Sequence, residues 1–360
     1  MAVSNVVFQT GANYAEGQAI LSPLIQEIAN QSEAQVGLES QAEKFGFVMG
    51  DALTPKGEIT AMVGPEPLRK IDEDAIAPIM TLMQGYSKGY AMDTYSIRHK
   101  VTKVFVEWLK KAQFLNGVDS SVAAELGKFK EAIQNMVYGS ELTMNELITR
   151  TFADGFSVTA AYGPWAASPD GVALFSPSHV VKKTGANYSN LISAGQTLSA
   201  TNLETWIQNY RLNVKTPNGY RIKSPEYFDL LVPRALETTA RKILNSANDQ
   251  AGVYAGTGSN ANLLNVFSFQ GTKVRLTILD LLGEPWMDGS VIGGANANSM
   301  WFLLNKEYAL KYKAFRIFRL WDNEITMYTN DETKSMFTDI SMHVGVEHFN
   351  PEAVMGFAGA

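Results

Sequence analysis

Residues 228–246 read Phe-Asp-Leu-Leu-Val-Pro-Arg-Ala-Leu-Glu-Thr-Thr-Ala-Arg-Lys-Ile-Leu-Asn-Ser. Phe228 to Val232 predicts a buried strand, and Pro233, which has no N–H for a ladder, ends it. Leu236, Ala240, Ile243 and Leu244 then recur at helical spacing and predict a helix from about Ala235 to Ser246. Upstream, Asn218-Gly219 is a strong two-residue turn signal. The unit is strand, turn, helix, and neighbouring segments have to supply the surfaces it buries against.

Working outward toward the N-terminus, Ser199 or Thr201 can cap a helix whose Leu203, Trp206, Ile207 and Tyr210 stand at i, i+3, i+4 and i+7. Asp119, Ser120 and Ser121 offer cap oxygens to a second helix carrying Val122, Leu126, Phe129, Ile133 and Val137. Leu142, Leu147 and Ile148 can extend it past Gly139 into a long spine. Tyr95, Ile97, His99 and Val101 alternate with mostly polar residues and predict a strand with one wet face. Phe45 to Ile71 is cut by Gly50, Pro55, Gly57, Gly64, Pro65 and Pro67, the grammar of a hairpin or extended loop. Residues 1 to 44 place Ile20, Leu24, Ile25 and Ile28 on one side of a short helix, too few for a core of their own, which predicts an arm laid on something else. Toward the C-terminus, two soft loops, Gly252 to Asn262 and Gly289 to Asn298, flank strands expected near Val266 and at Val274 to Leu279. Strands are then expected at Trp301 to Leu304, Ala314 to Leu320, Ile325 to Tyr328 and Ile340 to Phe349.

The chain has 360 residues, enough for about two domains or one large domain with an insertion. With 30 basic and 36 acidic residues its net charge is −6, which argues against a general coat for phosphate backbones. Charged residues are only 18% and hydrophobic ones 46%, a balance that burial between subunits would explain. The absence of cysteine excludes disulfides, thiolate metal sites and a cysteine nucleophile. Met1 to Gly11 lacks the pattern of a secretory signal, so a cytoplasmic origin is expected, and no apolar run approaches membrane-spanning length.

Chemistry-bearing motifs are few. Gly256-Thr-Gly258-Ser-Asn-Ala261 matches a loose dinucleotide fingerprint, but a helix precedes it and a strand follows, the reverse of what phosphate binding needs. His343 and His348, five apart on a strand, point to opposite faces and cannot close on one metal with Glu347. Asn187-Tyr-Ser189 is a literal glycosylation acceptor, read as coincidence without a secretory signal. No Gly-x-Ser-x-Gly elbow occurs, so no enzyme activity, catalytic residue, metal or cofactor is expected. Asp51 to Asp74 is acidic, whereas Arg98, Lys100, Lys103, Lys110 and Lys111 face one acid, Glu107.

Leu174-Phe-Ser-Pro-Ser-His179, Asn187-Tyr-Ser-Asn-Leu191, Leu198-Ser-Ala-Thr-Asn-Leu-Glu204 and Leu230 to Ser246 resemble, in this order, the major head (capsid) proteins of tailed bacteriophages, especially the Mu-like branch. The resemblance implies an α+β fold of the HK-ninety-seven type. Its expected parts are an N-terminal arm (1–44), an extended β-hairpin loop region (45–105), a peripheral domain with the spine helix (106–215), an axial domain (216–320) and a return to the peripheral domain (321–360). It implies self-assembly into pentamers and hexamers of an icosahedral head around double-stranded DNA, contacted non-specifically. Portal and scaffolding proteins, and decoration proteins where present, are the implied partners, the virion the location and the host bacterial cytoplasm the place of assembly. An encapsulin-like shell is the alternative within the fold, and a cytoplasmic enzyme the alternative outside it. On the capsid reading, Asp72, Glu73 and Asp74 of one subunit meet Arg98, Lys100, Lys103, Lys110 and Lys111 of another, with a solvated face as the competing account.

Overall fold

The computed structural model describes residues 6–9, 27, 37–62, 84–104, 120–158, 167–245, 273–287, 289–329, 332 and 335–359. In chain order these form β1 (Val6–Gln9), α1 (Leu38–Lys44), β2 (Phe47–Asp51), β3 (Lys56–Met62), β4 (Gln84–Ala91), β5 (Asp93–Val101), α2 (Ser120–Ala153), β6 (His179–Val180), β7 (Asn187–Tyr188), α3 (Ala200–Asn213), β8 (Tyr227–Pro233), α4 (Glu237–Asn245), β9 (Lys273–Leu279), β10 (Trp301–Leu304), α5 (Lys306–Lys311), β11 (Phe315–Thr329), β12 (Met336–His348) and β13 (Val354–Phe357).

Two sheets carry the fold. In the first, β11 and β12 pair antiparallel from Phe315↔His348 to Thr329↔Met336. β5 adds antiparallel to the far edge of β12, and β2 and β1 add parallel to the free edge of β11. The second runs β13-β10-β8-β9, with β8 and β9 parallel and the other pairs antiparallel. Every residue of β10 and β13 is buried, so these short strands are apolar throughout rather than alternating. One continuous core joins both sheets, with Phe47, Phe152 and Phe315 in mutual ring contact and Phe302 against Phe152.

α2, α3 and α4 form where the sequence signals them, whereas α1 and α5 are not expected from it. α1 buries Ala42 in the main core although it falls within the expected arm. Ser199 caps α3, its hydroxyl accepting from Asn202 N at 3.2 Å, and Leu203, Trp206, Ile207 and Tyr210 are its buried residues. α2 runs 34 residues without a break, passing Gly127 and Gly139 where nothing lies within 4 Å of an added Cβ. Phe129, Ile133, Val137, Leu147 and Ile148 are all buried, a stripe that holds these glycines in helix despite their backbone entropy. At Asn218-Gly219 the chain turns as expected, with Gly219 at φ 85 and Lys215 bridged to Arg221.

Several boundaries differ from expectation. The loop region expected at 45–105 is narrower: Phe47–Asp51 and Asp93–Val101 are strands of the first sheet, because Phe47 and Val101 are buried there, and the hairpin itself is β3 and β4. The boundary expected at 320/321 falls inside β11, one strand of 15 residues in place of two; the ladder absorbs the polar stretch in irregularities between Arg319 and Glu324. The C-terminal return ends in β13, on the sheet expected to be axial. The soft loop expected at Gly289 to Asn298 is folded, with a bridge from Pro285 to Val291 and a 3-10 helix at Gly294–Ser299. The first-arm helix, the loop at 252–262 and the strand near Val266 lie outside the described residues.

Where β4 runs on into β5, the chain crosses β12 so closely that a Cβ on Gly345 would sit 2.1 Å from the Ala91 carbonyl oxygen. Backbone cannot yield there as a side-chain tip can. Gly345→Ala is expected to lower stability by roughly 1–3 kcal/mol, read as a fall in melting temperature; an unchanged melt would show that the crossing is loose.

Candidate functional site

The hairpin of β3 and β4 is a two-stranded ribbon with little to bury. Among its residues of described burial, only Lys88 is buried. Around that lysine the body presents a polar cluster that sequence patterning did not indicate. Lys88 Nζ lies 2.8 Å from Glu347 Oε2, donates to the His348 carbonyl oxygen at 3.1 Å and stands 3.5 Å from His348 Nδ1. Because the ammonium can only donate, Nδ1 is the acceptor and the ring proton sits on Nε2, 3.0 Å from Ser168 Oγ. Burial, then the charge of Lys88, holds the His348 ring well below its ordinary pKa, so it is neutral. Burial pushes the Glu347 carboxyl up and the Lys88 ammonium down, against the mutual attraction of the pair.

Next to this lies the segment whose motifs carry the resemblance, and its polar residues are structural staples. Asn190, fully buried, accepts from Ser176 N at 2.9 Å and donates to Leu174 O at 2.7 Å and Pro351 O at 2.9 Å. His179 faces acceptors on both sides, Asp170 Oδ2 at 2.8 Å and Leu174 O at 3.0 Å. Its ring stacks on Tyr188. Glu352 is also buried: Tyr308 Oη donates to its carboxylate at 2.9 Å, and Tyr210 Oη donates to its backbone oxygen at 2.9 Å. A cavity of about 380 Å³ separates this cluster from the hairpin, lined by Tyr86, Tyr188, Lys215, Tyr220, Tyr308 and Glu352 among others.

The chemistry of the cluster is cohesive rather than catalytic. Ser168 and His348 are in hydrogen-bond reach, but the second ring nitrogen faces an ammonium where a nucleophile's base needs a carboxylate. Both side chains are buried away from any reactant. Among the described residues, no three of His, Cys, Asp and Glu are placed to hold a metal ion, and no helix is long and apolar enough to cross a membrane. His343 and His348 have separate surroundings: His343 bonds Thr94 and stacks on Trp321, whereas His348 meets Lys88 and Ser168.

The residues read as inter-subunit contacts separate into groups. Arg98 finds its carboxylate within the chain, donating to both oxygens of Asp339 at 2.7 and 2.8 Å, with its guanidinium over Tyr328 and Phe337. Lys100 and Lys103 are exposed. Asp72, Glu73, Asp74, Lys110 and Lys111 lie outside the described residues.

The phage capsid protein family matches residues 116–354 of the chain. No curated protein matches. Among solved structures, the capsid of Ralstonia phage GP4 is 8% identical with a TM-score of 0.48, over 87% of this chain and 86% of that one. The capsid of Myoviridae phage XM1 is 12% identical with a TM-score of 0.44, over 88% and 90%. A chain of Mycobacterium phage Patience is 13% identical with a TM-score of 0.44, over 98% and 93%.

Burial raises the Glu352 carboxyl from its ordinary 4.5 to about 7 in the folded chain. The native state therefore holds this proton more tightly than the unfolded state. Its contribution is complete below about 4.5 and is lost as pH rises through about 7, a difference of roughly 3 kcal/mol. Glu352→Gln keeps an oxygen for Tyr308 and cannot ionise. Its melting temperature is expected to gain on the unaltered protein as pH rises from about 5 to 8; parallel profiles would remove Glu352 as the titrating group.

Proposed function

We infer the role of this chain from its membership, since it belongs to the phage capsid protein family. It is a structural major capsid protein, it assembles with copies of itself into the head shell, and it resides in the virion. The match over residues 116–354 carries this conclusion.

We propose that the subunits close the shell as pentamers and hexamers around double-stranded DNA, that assembly takes place in the host cytoplasm with portal and scaffolding proteins, and that the chain has no catalytic activity. The Mu-like branch is part of the same proposal, on the motifs at 174–246. A ribbon whose buried residue, among those described, is a lysine supports it, because two strands alone are marginal in water and become useful when laid over a second surface. Large exposed apolar side chains such as Leu53 and Met287, 97% and 83% exposed, support it too. The test is electron microscopy of the purified chain, produced with and without other head proteins across salt and pH. Closed shells of uniform diameter are expected. A compact monomer under every condition overturns the proposal, and shells filled with a cargo protein in place of nucleic acid favour the encapsulin-like alternative.

The inter-subunit pairing is proposed for Lys100, Lys103, Lys110 and Lys111 of one copy with Asp72, Glu73 and Asp74 of the next. Arg98 is the weakest member of the set, because Asp339 already engages it. One exposed pair contributes only about 0–1 kcal/mol, but every interface of a closed shell repeats it. Lys103→Glu with Lys110→Glu is expected to block particle formation, and Glu73→Lys with Asp74→Lys in the same chain to restore part of it; unrescued assembly sinks the pairing.

A further inference from the structure

The hairpin is fixed to its own body through a joint of unusual chemistry. Its buried anchor among the described residues is the Lys88 side chain, 7% exposed, set against Glu347, which is fully enclosed. Beside this contact Ile59 and Tyr90 of the ribbon pack, partly buried, against Met92, Phe318 and Phe349, with Tyr90 stacked on Phe318 at 4.3 Å between centroids, and Tyr86 lies beneath the Lys182 ammonium and reaches Val180 O at 3.4 Å. Apart from the Lys88 ammonium 2.8 Å away, neither Glu347 oxygen has a hydrogen-bond partner among the described residues. Hiding two charges costs more than an unsupported contact returns, and an apolar pair of similar volume holds such a position more firmly. Removing one partner is worse than either, since it strands the other charge out of water. The opposed displacement of the two groups agrees with this account: burial outweighs attraction on both partners.

We propose that the Lys88–Glu347 pair is a release joint: it sets the register of the hairpin on its own body while keeping the docking weak, so that the ribbon lifts and reseats on a neighbouring copy. This rests on the capsid reading. Register comes from the geometry of a single buried cation, because a slip of one residue along β4 moves Lys88 to the opposite face and leaves Glu347 alone. Weakness comes from desolvation. An apolar joint at the same place would have the first property less sharply and would lack the second.

The test uses the full chain carrying Lys88→Met with Glu347→Leu, beside the single variant Lys88→Met. In unassembled subunits, amide exchange across β4 is expected to slow about tenfold or more in the double variant and to quicken in the single variant, where Glu347 is left buried without its partner. In assembly trials followed by electron microscopy, the double variant is expected to give fewer closed particles than the unaltered chain, because its hairpin stays docked. Faster exchange in the double variant overturns the proposal, since the pair would then be a net clamp. Slower exchange with unaltered particle yield also overturns it, since release would then play no part in assembly. If the unaltered chain forms no particles under any condition, the capsid reading fails and the release role with it, an outcome distinct from either exchange result.

Discussion

The β11–β12 ladder is the constraint on which the other elements depend. Twelve Cα pairings run from Phe315↔His348 to Thr329↔Met336 and fix which residues each later element can meet. On one side the ladder gives β5 its register, and with it the Arg98–Asp339 contact. On the other it presents Phe315 to Arg319 to β2, which seats Phe47 between Phe152 and Phe315 in the core. At its C-terminal end it delivers Glu347 and His348 into the body beneath the hairpin, and Gly345 to a place where the β4 to β5 connection passes at backbone distance. A one-residue slip in this ladder would send Glu347 to the opposite face and close the crossing at Gly345 with a side chain.

Beneath the hairpin, specificity and stability pull against each other. Asn190 satisfies its amide completely and ties the 174–176 segment to Pro351, so its burial costs little and gives one arrangement. Lys88 and Glu347 are paired but poorly solvated, and Glu352 stays buried by keeping its proton up to about pH 7. The firmly bonded staples lie within the body, between segments that have no reason to separate. The strained pair lies where the ribbon meets the body. That division is what a shell subunit needs if its centre is rigid and its projecting ribbon has to find a place on a neighbour.

Much of the fold was legible in the sequence because its signals are local. Ser199 with Leu203, Trp206, Ile207 and Tyr210 defines α3 within one window, and the periodicity across Gly139 gives α2 its length. The strand, turn and helix at 228–246 appear as β8, a 3-10 turn and α4. The polar cluster was not legible, because a lysine in a strand is ordinarily a solvated face and nothing near Lys88 in sequence announces Glu347. The sequence pattern divides β11 into Ala314 to Leu320 and Ile325 to Tyr328, with a turn between; pairing along a long partner overrides that division. The membership of β13 in the second sheet is likewise a tertiary fact, since four apolar residues carry no information about which edge they join.

The small motifs between Leu174 and Leu191 show how a family pattern becomes physics. Gly356 lies under Phe175, where a Cβ would come within 2.7 Å of the ring, and its backbone exchanges hydrogen bonds with Asn190 and Ile192. Phe175 in turn stacks with Phe156 and Phe302. The segment therefore closes the core after α2, pins the C-terminal strand to it and supplies, through Val180, Val181 and Tyr188, one wall of the cavity below the hairpin. Its buried residues are there for packing and polar satisfaction. A mutation in it is therefore expressed first as a looser body, and only through the body as a misplaced hairpin.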